Sequence, residues 1–309
     1  MIKKYLRQQF IKAACIISDE LTIRTLENEE TRSLALGTLL SNQQYDLQSK
    51  NINDYEFKIF SQHGDDGIIQ FLIKHLDIPN KTFIEFGVED FSESNTRFLM
   101  MNNNWSGFVI DGSKENVNRL KSYPWYWKYD IRCEAAFIDR ENINLILKKS
   151  GFENIGILHI DLDGNDYYIL KEIDFTTLNP AILILEYNSI FGNERSISIP
   201  YDKNFSRTQA HYSNLFFGAS LPALYHQATT KGYVLVGCTL SGNNAFFVRK
   251  DLMNEKIEKK SLQNAFIDSK FRESRAHNYK LSYLRGEQRL AAIKGMKVYN
   301  VITNQLEEL

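Results

Sequence analysis

The sequence predicts an α/β protein in which helices cover both faces of a doubly wound, mostly parallel sheet of seven strands. Three observations support this fold class. Short and nearly continuous apolar segments recur between residues 81 and 188, as expected of strands that are buried on both faces. Amphipathic segments separate them, which indicates helical crossovers. Two further apolar segments near residue 240 are joined by a short turn instead of a helix.

The parallel part of the sheet is predicted to contain five strands. They are expected at residues 81–87, 106–112, 131–139, 156–163 and 180–188. Helices with one apolar face are expected at residues 65–76, 165–173 and 221–231. Asp65 or Asp66 is a candidate N-cap for the first of these helices. Right-handed crossovers would then place the helices on both faces of the sheet.

The last two strands are predicted to be antiparallel. Segments 233–240 and 244–250 flank the turn Ser241–Gly242–Asn243, and such a short turn between apolar segments indicates a β-hairpin. A parallel sheet closed by a hairpin is the seven-stranded layout of class I methyltransferases. The doubly wound sheets that bind dinucleotides are typically parallel throughout.

The domain organisation follows from the change of pattern along the chain. Residues 57–250 are predicted to form the class I methyltransferase-like domain, a Rossmann-like fold. Within it, residues 189–218 form a long segment with little helical periodicity, which is typical of a functional loop, here a substrate loop. Residues 1–56 and 251–309 are predicted to be helical N- and C-terminal extensions, which would cover a sheet edge or form a homo-oligomer interface.

Charge and cysteine content exclude several classes of protein. The 309 residues include 37 basic and 38 acidic side chains, whereas a general nucleic-acid binder normally shows a strong basic excess. Nucleic acid is therefore not an expected partner. The three cysteines, Cys15, Cys133 and Cys238, are too far apart for a disulfide scaffold or a zinc cluster. This cysteine usage fits a reducing compartment, and we expect a cytoplasmic protein.

The N-terminal residues leave two interpretations open. Lys12 interrupts the apolar segment before it reaches the length of a signal peptide, and no segment reaches the roughly 18 uninterrupted apolar residues of a transmembrane helix. The first twelve residues carry four basic side chains and no acidic one. They favour a helix packed on the protein body, with a helix at the inner membrane surface as the alternative.

The loop after the first strand is acidic and contains one glycine. Glu85, Gly87, Glu89 and Asp90 occur within six residues, and their carboxylates would repel a pyrophosphate. A cationic ligand suits this loop better. S-adenosylmethionine carries a sulfonium and an ammonium group, so Glu85 and Gly87 are candidate cofactor-binding residues. An acidic surface turn is the alternative interpretation.

The next two strand ends supply candidates for the rest of this cofactor. Asp111, followed by Gly112, ends the second strand, where a carboxylate can accept hydrogen bonds from both ribose hydroxyls. Ala136 lies just after the third strand, at the position where an adenine ring would be bracketed. The assignment of Ala136 rests on its position alone.

The fourth and fifth strands end in a cluster of oxygen ligands. Asp161 and Asp163 point to the same side of an extended strand and would face the reactive end of the cofactor. Glu186 and Asn188 end the neighbouring strand. These four residues suit Mg²⁺, and Glu186 and Asn188 could equally contact the acceptor. Helix N-capping is the alternative role for the two aspartates.

The substrate loop offers groups for binding and deprotonating an acceptor. A sugar hydroxyl needs a positioned base or a metal ion before it can attack a methyl group. His211 is the candidate base, with Asp163 as its rival and Asp161 beside it. An ordinary loop histidine is the alternative for His211, and solvated side chains are the alternative for the arginines. Candidate acceptor-binding residues in this loop are Arg195, Tyr201, Arg207 and Tyr212.

Several of these segments together resemble one enzyme family. The segment Ser61-Gln62-His63-Gly64-Asp65-Asp66-Gly67, the cluster at 161–166 and the triplet at 186–188 are similar to the FkbM-like S-adenosylmethionine-dependent methyltransferases. The resemblance covers residues 57–250. It implies a class I fold and O-methylation, frequently of sugars, and it adds Gln62, His63, Asp66 and Asn95 to the candidate cofactor-binding residues. The chain departs from the wider class at Glu89 and Phe91, where further glycines are usual.

The expected function is therefore S-adenosylmethionine-dependent O-methylation of a sugar hydroxyl, in a nucleotide sugar or in a cell-surface glycan such as a capsule or O-antigen. Two alternatives remain. A nucleotide-dependent oxidoreductase would share the doubly wound sheet, although the chain lacks a G-x-G-x-x-G motif. A non-catalytic binding module would keep the fold without the chemistry.

Overall fold

The fold is taken from a computed structural model, which describes Lys12, residues 24–25 and residues 27–309. Two parts of the N-terminal region lie outside the described residues: the basic segment before Lys12, and the residue Cys15. None of the described helices has the length and hydropathy needed to cross a membrane. The helices are α1 (27–43), α2 (Asp65–His75), α3 (Arg97–Asn103), α4 (Lys114–Ser122), α5 (Ile143–Ser150), α6 (Asp166–Glu172), α7 (Phe175–Leu178), α8 (Arg207–Ala210), α9 (Leu221–Thr230), α10 (Leu262–Ala265) and α11 (Glu287–Ala292).

The described strands form two sheets. They are β1 (Thr82–Phe86), β2 (Ser106–Asp111), β3 (Ile131–Ala135), β4 (Ile157–Ile160), β5 (Ile182–Glu186), β6 (Ile197–Ser198), β7 (Tyr233–Cys238), β8 (Asn244–Arg249), β9 (Lys297–Asn300) and β10 (Gln305–Glu308). The seven-stranded sheet has the order β3-β2-β1-β4-β5-β8-β7, and the three-stranded sheet has the order β10-β9-β6. Strands β1 to β5 are parallel, whereas β8 is antiparallel to both β5 and β7. The predicted fold class is confirmed.

The central strands are apolar throughout because each face of the sheet is covered. Ile84, Leu158 and Leu183 are paired across β1, β4 and β5, and all three pack into one hydrophobic cluster. Their neighbours Phe83 and Ile157 point to the opposite face and pack into a second cluster. All five side chains are completely buried. Burying each one contributes about 1.5–3 kcal/mol, which explains why these segments show no alternation of polar and apolar residues.

The start of α2 differs from the prediction. Gly64 occupies the N-cap position, and Asp65 and Asp66 lie in the first turn of the helix. Neither aspartate therefore caps the helix. Their position still suits a carboxylate, because the N-terminal turn carries the positive end of the helix dipole.

The C-terminal region also differs from the predicted helical extension. Residues 251–309 contain the two short helices α10 and α11 and the β9–β10 hairpin, and much of the remainder is irregular. Strand β9 pairs with β6, which lies in the predicted substrate loop. Buried side chains of this region, including Ile293 and Val298, form a third hydrophobic cluster with Ile197 and Leu215 of that loop. These tertiary contacts, rather than local helix propensity, give the region its structure.

Candidate active site

Two adjoining cavities lie at the carboxyl edge of the parallel strands, next to β1 and β4, where the strand order reverses. Ligands of doubly wound proteins bind at this position. The larger cavity has a volume of about 580 Å³ and the smaller one about 300 Å³. Their linings share Gly87, Glu89, Asp161 and Asp163, so these four residues mark the junction of the cavities.

The cavities bring together most of the predicted site residues. The larger cavity is lined by Gln62, His63, Glu85, Gly87, Asn95, Asp161, Asp163, Glu186, Asn188 and Arg207. The smaller cavity is lined by Asp111, Gly112 and Ala136, in addition to the shared residues. Strands β1, β2, β4 and β5, or the turns after them, supply most of these positions, because parallel strands present their carboxyl ends at one edge.

Gly87 allows the loop after β1 to lie directly against the end of β4. Its backbone has a φ of +69°, and its amide donates a hydrogen bond of 3.0 Å to the carbonyl oxygen of Ile110. A β-carbon at this position would lie 1.9 Å from the carbonyl oxygen of Asp161. Glycine is thus required here for both conformational and steric reasons.

Glu85 organises this loop and has no free oxygen to offer a cofactor. Oε1 accepts hydrogen bonds from the Asn95 amide and from His159 Nδ1, each at 3.0 Å. Oε2 accepts bonds from the Ser94 and Thr96 hydroxyls and from the Thr96 amide. The direct cofactor contact predicted for Glu85 is therefore replaced by a positioning role, since its two oxygens already accept five hydrogen bonds.

Glu85 and His159 form a buried hydrogen-bonded pair. Burial by itself raises the pKa of the Glu85 carboxyl, but the hydrogen bond and charge of His159 and the bonds from Ser94 and Thr96 hold it below its ordinary value. Burial by itself lowers the pKa of His159, and the bond and charge of Glu85 raise it above its ordinary value. Each group stabilises the charged form of the other, which fixes β1 to β4 behind the larger cavity.

Beyond the three carboxylates that it shares with the larger cavity, the smaller cavity combines the Asp111 carboxylate with apolar walls. Asp111 Oδ2 accepts the Glu89 amide at 2.8 Å, and Oδ1 accepts the Ser113 amide at 2.7 Å and the Asn116 side chain at 3.1 Å. Its remaining lone pairs can accept ligand hydroxyl groups. The apolar part of the lining is formed by Ile110, Ala136, Phe137, Ile138, Leu162 and Phe205.

Three carboxylates lie close together in the lining of the larger cavity, next to its junction with the smaller cavity. Oxygens of Asp161, Asp163 and Glu186 lie within 4.8 Å of one another. Burial raises the pKa of Asp161 to about 7, the charge of His159 opposes this shift, and the charge of Asp163 adds to it. Burial and the charges of Asp161 and Asp163 raise the pKa of Glu186 well above its ordinary value. Asp161 and Glu186 therefore bind a proton or a cation more readily than ordinary carboxylates do.

Asn188 does not complete this cluster. Its Nδ2 donates to the carbonyl oxygens of Leu215 and Phe217, each at 3.0 Å, and its Oδ1 accepts the Ile190 amide at 3.1 Å. The side-chain amide is used in holding the substrate loop. The predicted metal ligand and acceptor contact at Asn188 is corrected accordingly, whereas the three carboxylates remain.

Arg207 connects three parts of the chain around the larger cavity. Its guanidinium donates hydrogen bonds of 2.8 Å to Asp163 and to Glu273, and one of 2.9 Å to the carbonyl oxygen of Asn214. It also lies 3.6 Å from the centre of the Phe217 ring. Asp163 is consequently paired with an arginine, which makes Asp161 and Glu186 the less neutralised members of the cluster.

Asp66 lies near the two cavities but is not part of the lining of either one. Its Oδ2 accepts the backbone amides of Ile59, Phe60 and Ser61 at 2.7–2.9 Å, and the Ser61 hydroxyl at 2.9 Å. Burial raises its pKa to about 7, although these hydrogen bonds act in the opposite direction. Asp66 therefore shapes the segment that presents Gln62 and His63, and the predicted cofactor contact is not formed.

Four residues of the substrate loop that were predicted to act on the acceptor line neither cavity. His211 Nδ1 is 2.7 Å from the Ser213 hydroxyl, and the Tyr212 ring stacks on His277 at 3.7 Å. Arg195 pairs with Glu307 at 2.8 Å, and the Tyr201 ring packs 5.2 Å from that of Tyr168. The loop folds back on the protein body, so these side chains have partners outside the cavities, and His211 is not placed as a base.

The C-terminal region contributes a wall that sequence reasoning missed. The larger cavity is also lined by Ser269, Phe271, Arg272, Glu273 and Arg289. Residues 251–309 show no motif or strand pattern that points to a site. Glu89, Asn116 and Phe205 were missed as well, although Glu89 stands in the acidic loop whose charge was noted.

The sheet order and the position of the cavities define a class I methyltransferase fold. No protein-family model matches the sequence, and a search of curated proteins found no match. The search of solved structures found the O-methyltransferase from Bacillus cereus in complex with S-adenosylhomocysteine, at 12% identity and a TM-score of 0.39, covering 70% of this chain and 89% of that one.

Two other solved structures are similar to the same degree. The N-terminal domain of EvdMO1 with bound S-adenosylhomocysteine has 12% identity and a TM-score of 0.39, covering 61% of this chain and 80% of that one. TrmK from M. capricolum, in complex with S-adenosylhomocysteine, has 12% identity and a TM-score of 0.36, covering 65% of this chain and 74% of that one. The fold assignment rests on the sheet order itself.

Proposed function

We propose that the protein is an S-adenosylmethionine-dependent methyltransferase that methylates a hydroxyl group of a sugar, in a nucleotide sugar or a cell-surface glycan. One observation carries this proposal. The two cavities meet at Gly87, where the carboxylates of Glu89, Asp161 and Asp163 line both of them. A cofactor that bridges the cavities would place its positive sulfur next to these carboxylates, and a diphosphate there would be repelled.

The smaller cavity suits the adenosine part of the cofactor. Phe137, which is 57% exposed, and Phe205 offer apolar surface to a flat base. Asp111 has free lone pairs for the two ribose hydroxyls, which are hydrogen-bond donors. The methionine part would then pass Gly87 into the larger cavity.

The larger cavity suits the transfer step. An acceptor oxygen attacks the methyl carbon in line with the carbon–sulfur bond, so that the oxygen–carbon bond forms as the carbon–sulfur bond breaks. The hydroxyl proton passes to a carboxylate, and neutral S-adenosylhomocysteine remains. Asp161 is the first candidate base, because its pKa is raised to about 7 and a base with a pKa near the working pH is the most effective one. Glu186, whose pKa is raised by burial and by the neighbouring carboxylates, is the second candidate. The chain mainly orients the reactants and excludes water.

The carboxylate cluster also fits a divalent cation by donor type and spacing. Asp161, Asp163 and Glu186 offer oxygens within 4.8 Å of one another, and the raised pKa values of Asp161 and Glu186 reflect burial and repulsion that a cation would relieve. We propose these three residues as the ligands of such a cation, a role that would replace the role of Asp161 and Glu186 as bases. A bound Mg²⁺ would supply stabilisation of the developing alkoxide.

The acceptor is proposed to be a sugar because the larger cavity combines aromatic and polar groups. Phe217 and Phe271 offer apolar faces, and Asn243, Ser189 and Ser269 offer hydrogen-bonding groups in the same lining. Pockets of this size bind small molecules through such a mixture. We propose that the protein acts in the cytoplasm. We also propose that the flanking regions, residues 1–56 and 251–309, cover the sheet edge or form a homo-oligomer interface.

The cofactor is tested by calorimetric titration of the purified chain with S-adenosylhomocysteine and with NAD. We expect S-adenosylhomocysteine to bind and NAD not to bind. Phe137→Ala is expected to weaken S-adenosylhomocysteine binding by about tenfold, in line with the loss of one aromatic stacking partner. Leu145→Ala is the matched control, because Leu145 is 64% exposed and lines neither cavity. NAD binding without S-adenosylhomocysteine binding would favour the oxidoreductase alternative.

The acceptor is tested separately with methyl-labelled S-adenosylmethionine and a panel of nucleotide sugars and glycan fractions. Label in a carbohydrate ether supports the proposal. Label on an amine or on protein would refute the sugar acceptor while leaving the cofactor assignment intact. Cofactor binding without transfer, combined with no effect of Asp161→Asn on glycan methylation in cells, would support the non-catalytic alternative.

A further inference from the structure

The larger cavity is closed on one side by a segment that we call the C-terminal strap (residues 267–273). Its start is anchored to the end of β5 and the segment after it. The Tyr187 hydroxyl donates a hydrogen bond of 2.7 Å to the carbonyl oxygen of Ile267, and the Ser269 amide donates one of 3.0 Å to the Ser189 hydroxyl. The strap also touches the β7–β8 turn, because a β-carbon on Gly242 would lie 2.7 Å from the Ser269 amide nitrogen.

The far end of the C-terminal strap is anchored to other walls of the cavity. Phe271 stacks on His63 with ring centres 4.8 Å apart. Glu273 accepts a hydrogen bond of 2.8 Å from Arg207 of the substrate loop. Contacts at both ends therefore hold the strap in a defined position, which is what a binding wall requires.

Charge is unevenly distributed along the cavity. At the junction end, the lining contains the carboxyl groups of Asp161, Glu186 and Glu89, and oxygens of Asp161 and Glu186 lie within 4.8 Å of each other. At the strap end, the lining contains Arg272 and Arg289. The two ends would therefore attract ligand groups of opposite charge.

Two carboxylates near the strap end are paired with cations other than Arg272 and Arg289. Glu273 is paired with Arg207 at 2.8 Å, and Glu93 lies 3.5 Å from the ammonium group of Lys58. Asp268 does not line the cavity, and it accepts a hydrogen bond of 2.8 Å from Arg289 itself.

The two arginines of the strap end keep unused hydrogen-bond donors. Arg272 is exposed, lies 5.0 Å over the Tyr283 ring, and forms no ion pair among the described residues. Arg289 is 4% exposed, and its bond to Asp268 uses one Nη2 hydrogen, while its buried Nε has no partner in the described part of the chain. A guanidinium has five N–H donors, so both side chains can bind an anion.

We propose that Arg272 and Arg289 bind an anionic group of the acceptor, a phosphate or a carboxylate, and thereby select charged over neutral acceptors. This inference rests on the proposed function, because it assigns the strap end to the acceptor. The sulfonium at the junction end and the anionic group at the strap end then match the charge distribution of the cavity. The C-terminal region thus becomes the part of the chain that determines acceptor specificity.

The cofactor carboxylate is the competing source of an anion, and the experiment separates the two. Affinity for S-adenosylhomocysteine is measured first for wild type, Arg272→Ala and the control Arg285→Ala, whose arginine is exposed and lines neither cavity. We expect all three affinities to agree within twofold. A loss of tenfold or more confined to Arg272→Ala would assign the strap end to the cofactor and overturn the proposal.

Pyrophosphate and malonate are then titrated at low salt into the proteins saturated with S-adenosylhomocysteine. We expect at least one of these anions to bind wild type and Arg285→Ala, and to bind Arg272→Ala about tenfold more weakly, as for the loss of one charge-assisted contact. The stronger of the two anions identifies phosphate or carboxylate as the preferred group. No anion binding, or equal binding by Arg272→Ala, would overturn the proposal.

Arg289 is tested with a variant that avoids a folding defect. Arg289→Lys keeps the charge near Asp268 but loses the planar fork, so we expect weaker anion binding together with an unchanged melting temperature. Unchanged anion affinity in this variant would remove Arg289 from the site. If wild type fails to bind S-adenosylhomocysteine, the proposed function fails, whereas anion titration of the protein without cofactor still tests the strap end.

Discussion

Asp161 is the residue on which the proposed chemistry depends most, through its carboxyl group. Burial raises its pKa to about 7, and nearby carboxylates add to that shift. A raised pKa means that the group holds its proton up to nearly neutral pH. We therefore predict that, in metal-free buffer, labelled Asp161 titrates near pH 7 by nuclear magnetic resonance. Methyl transfer under the same conditions should increase with pH through that midpoint, because only the ionised carboxylate accepts a proton.

A pair of variants tests how much the charge of Asp163 contributes to the raised pKa of Asp161. Asp163→Asn should lower the pKa of Asp161, because the charge of Asp163 raises it. Glu93→Gln changes a carboxylate of the same cavity that lies beside Lys58, and it should leave the titration of Asp161 unchanged. A midpoint near the ordinary value of 3.8 in wild type would show that Asp161 is well solvated, and the base assignment would fail.

Gly87 is the second residue with a specific prediction. Gly87→Ala would place a β-carbon 1.9 Å from the carbonyl oxygen of Asp161 at a φ of +69°. The loop must then move away from β4. We expect a loss of several kcal/mol in the free energy of unfolding, of which about 1–2 kcal/mol comes from the left-handed backbone conformation, and a loss of S-adenosylhomocysteine binding.

Gly151→Ala is the matched control for this substitution. Gly151 has a φ of +64°, and a β-carbon there would meet no atom within 4 Å. Only the conformational cost of about 1–2 kcal/mol should appear in urea unfolding, with normal cofactor binding. Equal losses for the two variants would mean that the close approach of Gly87 to Asp161 contributes nothing.

At the level of elements, the C-terminal strap depends on the β7–β8 turn. Gly242→Ala would bring a β-carbon to 2.7 Å from the Ser269 amide nitrogen and 2.8 Å from the Ile267 carbonyl oxygen. Since these are backbone atoms, the strap has to shift. We predict faster hydrogen exchange in residues 267–273, weaker acceptor binding, and S-adenosylhomocysteine affinity within twofold of wild type.

Gly232→Ala provides the comparison for the strap. Gly232 also has a positive φ, of +89°, and no atom lies within 4 Å of a β-carbon there. This variant should lose some stability without changing exchange in the strap. Unchanged exchange in both variants would show that the turn does not hold the strap in place.

For the whole molecule, the third hydrophobic cluster joins the C-terminal region to the substrate loop. Val298 of β9 is completely buried in this cluster. Val298→Ala should lower the free energy of unfolding by about 2 kcal/mol, because it removes two buried methyl groups and leaves a cavity. Limited proteolysis should then cut residues 189–218 sooner than in wild type.

Leu306→Ala serves as the control for this effect. Leu306 lies on the neighbouring strand β10 and is 62% exposed, so its truncation should change stability by no more than about 0.5 kcal/mol. If Val298→Ala unfolds like this control, the C-terminal region is a loosely attached extension and not part of the folded unit.

The parallel strands were predictable because strands that are buried on both faces appear in the sequence as nearly continuous apolar segments. Each of the five predicted segments contains a strand, and the carboxylates after β4 and β5 were correctly expected to meet. The substrate loop was different. Arg207 reaches the larger cavity and His211 does not, although both belong to the same irregular loop. Side-chain direction in such a loop has no periodic pattern, so the sequence could not separate the two residues.

The sequence by itself determined the sheet, its hairpin closure and the edge at which acidic side chains gather. Each of these features can be read from a few consecutive residues, because a buried strand is a short apolar segment and the acidic residues stand at its carboxyl end. Only the tertiary structure decided which oxygens are free. Glu85 and Asn188 are used by the protein itself, whereas Asp161 and Glu186 remain less neutralised. It also decided that Arg272 and Arg289 line the larger cavity. These outcomes depend on contacts between residues far apart in the chain, which local patterns do not encode.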